Sequence, residues 1–258
     1  MIRVLLALLS LFCIANFQTA FAATTSPATL PANQLAALVT DLGNLDSAVR
    51  ERARTRLLAI GADELTALRN VVAKNPSLNK SQVIALREIV NHVFLATQNY
   101  PQLQQMGFLG VTLAPIKVST LEQHDELEGA DPLDQLIEAN KEERATTAVV
   151  VQERMPGFCG FGAFQTGDII VAIQDDPPIR IESVGRLQLS IRARAAGERI
   201  TFQILRQGKK IDITLTLSGY PDALLPGVDP TDFRREREEA ATNFWNQTFA
   251  PLLGQRVS

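Results

Sequence analysis

The stretch Gly107-Phe108-Leu109-Gly110-Val111 decides how the second half of the chain is interpreted, because two glycines frame two apolar residues before an apparent strand. Glycine adopts backbone conformations that other residues avoid. A turn of this kind running into a strand can therefore direct successive N–H groups at one point. Backbone amides arranged in this way bind anions. The same five residues also fit an ordinary tight turn without a ligand.

The composition is that of a globular protein with a weak acidic charge. The 258 residues carry a formal net charge of −3, which disfavours nucleic acid as a partner. Residues 1–22 combine one positive charge, a short apolar run and a small-x-small end, as in a secretory signal peptide; an uncleaved anchor is the alternative. No later stretch predicts a membrane span. We therefore expect export to the periplasm or the extracellular space.

A helical region follows a short linker. Residues 23–33 are rich in Thr, Ala, Pro and Ser and predict a flexible mature N-terminus. Between residues 34 and 99, apolar residues recur at helical spacing, interrupted by glycines and an Asn-Pro pair, and so predict four helices. Asp46 is the expected N-cap of the second helix and Ser81 that of the fourth. We interpret His92, on the fourth helix, as a packed or half-exposed side chain and not as a ligand.

The pattern changes to that of strands after Pro101. Apolar runs at 149–151 and 169–173 predict two strands, and alternation across 200–217 predicts a hairpin. One good helix begins at Ser183 and lies between these strands in the sequence. The sequence therefore predicts a small, largely antiparallel sheet with one main helix.

Four separated signatures, in the right order, make residues 106–218 resemble a bacterial-type PDZ domain. The resemblance is to the PDZ domains of exported high-temperature-requirement proteases, without the protease domain. It implies a partly open β-barrel or sandwich. The signatures are Gly107-Phe108-Leu109-Gly110-Val111, Gln165-Thr166-Gly167-Asp168-Ile169-Ile170-Val171-Ala172-Ile173, Ala196-Gly197-Glu198-Arg199-Ile200 and Leu205-Arg206-Gln207-Gly208-Lys209.

A less specific resemblance concerns the helices, since residues 41–61 resemble a HEAT-like repeat. That resemblance implies a protein-contact surface; a small helical cap is the alternative. We therefore predict an α+β chain with an antiparallel, HEAT-like helical region at 34–99 and a PDZ-like domain at 106–218. Residues 219–258 predict a C-terminal helical tail that either packs back on the chain or binds a partner.

The PDZ resemblance implies strand addition, in which a partner's C-terminal or extended segment pairs beside the strand that begins at Val111. Backbone amides of Phe108, Leu109 and Gly110 would hold the partner's carboxylate. Leu187 and Ile191 would line the pocket for its last side chain, although both are also plausible core residues. The predicted peptide-binding residues are Phe108, Leu109, Gly110, Val111, Leu113, Leu187 and Ile191.

Three features depart from the family pattern, of which Asp175-Asp176-Pro177-Pro178, in place of an Asn-Gly turn, concerns only a local turn. Residues 116–147 form an insertion whose central part, 119–146, holds nine acids, two bases and His124. This insertion either covers, shapes or extends the groove, or is a solvated acidic excursion. Three phenylalanines between 158 and 164 predict an apolar contact or a local filling of the core. Cys159 lies among them and is expected to be unreactive.

No catalytic motif accompanies these features. The helical first part leaves no room for a barrel with a Ser-His-Asp site, and neither a His-Glu-x-x-His pair, a Gly-x-Ser-x-Gly elbow nor a phosphate loop occurs. We predict a non-catalytic peptide-binding or protein-binding module without metal or cofactor. The alternatives are a structural or assembly protein with a self-occluded groove and a regulatory partner of a separate exported protease.

Overall fold

The computed structural model describes residues 30–75, 77–117 and 147–253. The predicted signal peptide, the centre of the acidic insertion with His124, and residues 254–258 lie outside the described residues. The chain is α+β, as predicted, with helices and antiparallel sheets. Within the described ranges, no helix combines the length and the apolar character needed to cross a membrane.

Four helices open the described chain: α1 (Ala32–Asp41), α2 (Ser47–Leu58), α3 (Ala62–Lys74) and α4 (Lys80–Ala96). Their inward stripes form one apolar core, since each is spaced at the helical repeat. The HEAT-like character of this group stays a prediction. Fully buried members of the core are Leu35, Val39, Leu57, Leu68, Val72, Leu86, Ile89 and Val90.

The caps of these helices agree with the sequence in one case and correct it in another. Asp46 caps α2 by accepting a 2.8 Å hydrogen bond from the N–H of Ala48, as predicted. The expected Ser81 cap of α4 is wrong, because Ser81 already lies inside the helix. Asn79 is the cap: it exchanges two 2.9 Å hydrogen bonds with Gln82 in a capping box.

Two antiparallel sheets follow. Their strands are β1 (Gln102–Phe108), β2 (Val111–Lys117), β3 (Thr147–Arg154), β4 (Ile169–Ile173), β5 (Ile179–Arg180), β6 (Arg199–Arg206), β7 (Lys209–Thr216) and β8 (Ser218–Pro221). The larger sheet has the order β2-β3-β4-β6-β7 with β5 beside β4, and β1 pairs with β8 separately. The described strands do not close into a barrel. Because β2 pairs only with β3, one of its edges is unpaired among the described strands.

The described residues also form three further α-helices: the short α5 (Cys159–Ala163), α6 (Val184–Arg192) and α7 (Pro230–Thr248). Asp229 caps α7 by accepting a 2.8 Å hydrogen bond from the N–H of Thr231. The helix packs on α4, where Phe244 stacks on Phe94 with ring centres 4.2 Å apart. The described C-terminal segment therefore packs against the helical region.

The three phenylalanines around α5 connect the helical core to the sheet core. Phe161 is buried among the helices, whereas Phe164, three residues later, is buried in the core under the larger sheet. Phe158 lies between them, edge-on to Phe108 at 4.8 Å and to Tyr100 at 5.6 Å. The segment is an apolar contact, as predicted, and it joins the two cores.

Candidate functional site

A cavity of about 250 Å³ opens beside the loop at 107–110. On one side it is lined by the loop and by the first residues of β2, Val111, Thr112 and Leu113. On the other side α6 contributes Ile191 and Arg192. The cavity thus lies between α6 and the start of the terminal strand β2.

The loop is held in place through its carbonyl groups. The Cys159 thiol donates to the Phe108 carbonyl at 3.3 Å, the Gly160 N–H donates to the Leu109 carbonyl at 2.8 Å, and the Met155 N–H donates to the Gly110 carbonyl at 2.7 Å. Among the described residues, no acceptor pairs with the N–H of Leu109 or of Gly110. Two backbone donors at the cavity wall therefore remain available, and such donors are costly to leave unsatisfied away from water.

Both framing glycines are required by the geometry. Gly110 has a φ of 70°, and a Cβ there would collide with the Phe158 side chain. At Gly107 a Cβ would lie 2.6 Å from Leu217 Cδ1 and 2.7 Å from the Ile191 carbonyl oxygen. The glycines thus allow the loop to approach α6 and the phenylalanine segment closely.

The electrostatic character of the cavity is positive. Two arginines, Arg192 and Arg234, line it, and no acidic residue of the described ranges does, although the chain as a whole is acidic. Arg192 donates to the Tyr220 hydroxyl at 3.2 Å, and its guanidinium carbon lies 5.0 Å from the centre of the Tyr220 ring. Two guanidinium groups and two free amides at one place favour an anionic ligand group.

The structure brings most of the sequence-predicted residues together. Phe108, Leu109, Gly110, Val111, Leu113 and Ile191 all line the cavity. Leu187 does not: its side chain is fully buried in the sheet core. Ile191 lies one turn later on the same face of α6 and belongs to the same core, but it also reaches the cavity.

Sequence reasoning missed two groups of cavity residues. Gln188 and Arg192 lie on α6, next to the predicted Leu187 and Ile191. The others come from β3 and the tail, and no local signal marked them because their role depends on where those segments end in space. They are Met155, Tyr220, Leu224, Pro230 and Arg234.

Cys159 acts as a structural donor here. Burial raises the pKa of its thiol, with hydrogen bonds from Ser218 and the backbone opposing the shift. A protonated thiol is a poor nucleophile, and it is also the form that donates to the Phe108 carbonyl. The expectation that Cys159 is unreactive is consistent with this environment.

We expect iodoacetamide to modify Cys159 at pH 7.5 at least tenfold more slowly than it modifies free cysteine, because the thiolate is scarce and buried. Mass spectrometry of the timed reaction gives the rate. Unfolding the protein in urea should restore the rate of free cysteine. Modification at the free-cysteine rate in the native protein would show that the thiol is neither buried nor protonated as the structure indicates.

His92 lies apart from the cavity, at the contact between α4 and the segment before α5. Its Nδ1 accepts a 2.9 Å hydrogen bond from the N–H of Gly157, and its ring stacks on Phe161 at 4.7 Å. In the described ranges no three His, Cys, Asp or Glu residues cluster as metal ligands would. His92 is thus a packed side chain, as its position in the sequence indicated.

Comparison with known proteins identifies only distant structural similarity. No family model and no curated protein matches the chain. A solved structure of the HtrA-type protease AlgW with decapeptide is 19% identical, with a match over 54% of this chain and 35% of that chain at a TM-score of 0.32. A variant of that protease with tripeptide is 20% identical over 45% of this chain and 32% of that chain, at a TM-score of 0.29. The chain therefore spans about a third of the length of the structures it matches.

Proposed function

We propose that the protein is an exported, non-catalytic, PDZ-like module that binds the C-terminal segment of a partner. The observation that carries this proposal is the positive cavity at residues 107–110, where the Leu109 and Gly110 amides have no acceptor among the described residues and two arginines line the same cavity. A terminal carboxylate is the peptide group that this set of donors suits.

The surroundings of the cavity support strand addition. The unpaired edge of β2 starts at Val111, directly after the loop. A peptide whose carboxylate sits at the loop can therefore extend along β2 and pair with it through backbone hydrogen bonds. Leu109, Val111 and Ile191 give the cavity an apolar wall for the last side chain, so we expect ligands that end in an apolar residue.

The direct test is binding of fluorescein-labelled eight-residue peptides that end in Ala, Val, Leu or Phe, each made with a free carboxylate and as an amide. We expect the best free acid to bind about tenfold more tightly than its amide, because charged hydrogen bonds are each worth roughly 1.5–3 kcal/mol and tenfold corresponds to about 1.4 kcal/mol. Fluorescence anisotropy measures both affinities. Equal affinities, or no binding by any peptide, would refute carboxylate recognition.

A matched pair of glycine variants locates the site. Gly110→Ala places a methyl group against Phe158 at a positive φ and should reduce the preference for the free acid. Gly185→Ala, on α6, meets no atom within 4 Å and should leave binding unchanged. Circular dichroism of both variants separates a lost site from a lost fold, and cell fractionation of the full chain tests export.

One observation favours a second candidate function, a structural or assembly protein whose groove is closed by its own tail. Leu224 and Pro230, from the segment leading into α7, line the cavity. If they compete with a ligand, Leu224→Ala will raise peptide affinity. If neither the wild type nor this variant binds any peptide, the structural function is favoured.

A further inference from the structure

A second cavity, of about 320 Å³, adjoins the groove. It lies among α4, the end of β3 and α7, and it shares Met155 and Arg234 with the first cavity. Arg234 therefore stands on α7 at the junction of the two cavities. Arg234 therefore lines the same cavity as the Leu109 and Gly110 amides.

Arg234 differs from the other arginines near it on α7 in having no described partner. Arg235 pairs with Asp232 at 2.6 Å and with Glu239 at 3.8 Å. Arg237 donates to the Pro156 carbonyl at 2.9 Å and covers the Phe158 ring at 4.6 Å. Among the described residues, no carboxylate forms an ion pair with Arg234, and its side chain is exposed.

The acids near Arg234 do not form an ion pair with it in the described structure. Glu153 and Glu238 line the second cavity together with Arg234, yet neither is within ion-pair distance of it in the described structure. Among residues 30–75, 77–117 and 147–253, no acid lines the first cavity. Within those ranges, the groove side of Arg234 is therefore the side without a compensating negative charge.

We propose that Arg234 recognises a second negative charge on the ligand, an Asp or Glu side chain within the last three residues of the bound C-terminal segment. This inference rests on the proposed function, because it assumes that the terminal carboxylate is held at the loop. Leu109 and Gly110 provide donors for that carboxylate together with Arg192, which keeps its charge while it donates to the Tyr220 hydroxyl. Arg234, which has no described partner, can then meet a further anionic group.

The test is a mutant cycle on the full chain. The tightest free-acid peptide of the series above is remade with Glu or Gln at each of the two positions before its last residue, and affinities are measured by anisotropy at low salt. With wild-type protein, Glu should bind roughly two- to fivefold more tightly than Gln at one of these positions, the range of an exposed ion pair. Arg234→Gln should abolish this preference, and added salt should weaken it.

Arg235→Gln is the matched control, since Arg235 is one residue away, carries the same charge and has its own acidic partners. It should keep the preference for Glu. The inference is overturned if wild type shows no preference, or if the Arg234 and Arg235 variants lose it equally. If the free acid binds better than the amide but Glu and Gln bind alike, only this inference fails; if free acid and amide bind alike, the proposed function fails with it.

Discussion

Replacing Phe161 with alanine should lower the free energy of unfolding by about 3–5 kcal/mol, the usual cost of removing a buried aromatic ring. Phe161 is 3% exposed and belongs to the helical core although it lies in the segment next to the sheet. His92 stacks on one of its faces, and the guanidinium carbon of Arg154 lies 5.0 Å from its centre. The substitution therefore removes packing from the helical core. It also removes the contact that holds the segment at 156–164, which supports the loop at 107–110, against the helices.

The effect should be seen first in the helical part. Trp245, the only tryptophan, is buried in the same core and stacks on Phe249, so its fluorescence reports the unfolding of the helices. The urea midpoint by Trp245 fluorescence should therefore fall further in the Phe161 variant than in Phe164→Ala, which opens the sheet core instead.

A midpoint within experimental error of wild type for Phe161→Ala would contradict the structure. It would mean that the ring does not connect the helices to the segment at 156–164. Ile84→Ala provides a surface control, because Ile84 is 60% exposed on α4, and substitutions at such positions usually change stability by less than about 0.5 kcal/mol.

The elements with strong local patterns could be predicted from the sequence. The apolar stripe of α4 and the alternation of β6 and β7 each show which face of the element is buried, since burial follows the repeat of the element. Strand β1 has no such pattern: four of its seven residues are polar or glycine, and its partner β8 is far along the chain. Its strand character comes from tertiary pairing.

The candidate site divides in the same way. The two glycines of the loop are visible in the sequence because their backbone demands are local. Cys159 and Gly160 support the loop only because of how α5 packs. Arg234 lines the same cavity only because of how α7 packs. Long-range packing of this kind leaves no mark in the spacing of residues, so the charge of the cavity could not be predicted.

His92 should make the protein lose stability in mild acid. Burial first, and then the charges of Arg54, Arg154 and Arg237, lower its pKa from 6.5 to about 4. Protonation would also end the hydrogen bond that its Nδ1 accepts from Gly157. The neutral ring is thus the form that the folded contact requires.

The direction of the pH effect follows from the lowered pKa. The unfolded chain takes up the proton near pH 6.5 and the folded chain only near pH 4. The contribution of neutral His92 is therefore complete above pH 6.5 and is lost as the pH falls toward 4, which amounts to ~3 kcal/mol. Two of the arginines that lower the His92 pKa also pair with Glu88, Arg54 at 3.0 Å and Arg154 at 3.7 Å.

His92→Gln isolates this contribution, since glutamine retains an acceptor but does not titrate in this range. The difference in unfolding free energy between wild type and variant should shrink by ~3 kcal/mol between pH 7 and pH 4, measured by urea titration at each pH. Nuclear magnetic resonance of the folded wild type should show one imidazole, absent in the variant, that titrates near pH 4. An imidazole of His92 that titrates at pH 6 or above would instead mean that water reaches the contact between α4 and the phenylalanine segment, and the stability difference would then be independent of pH.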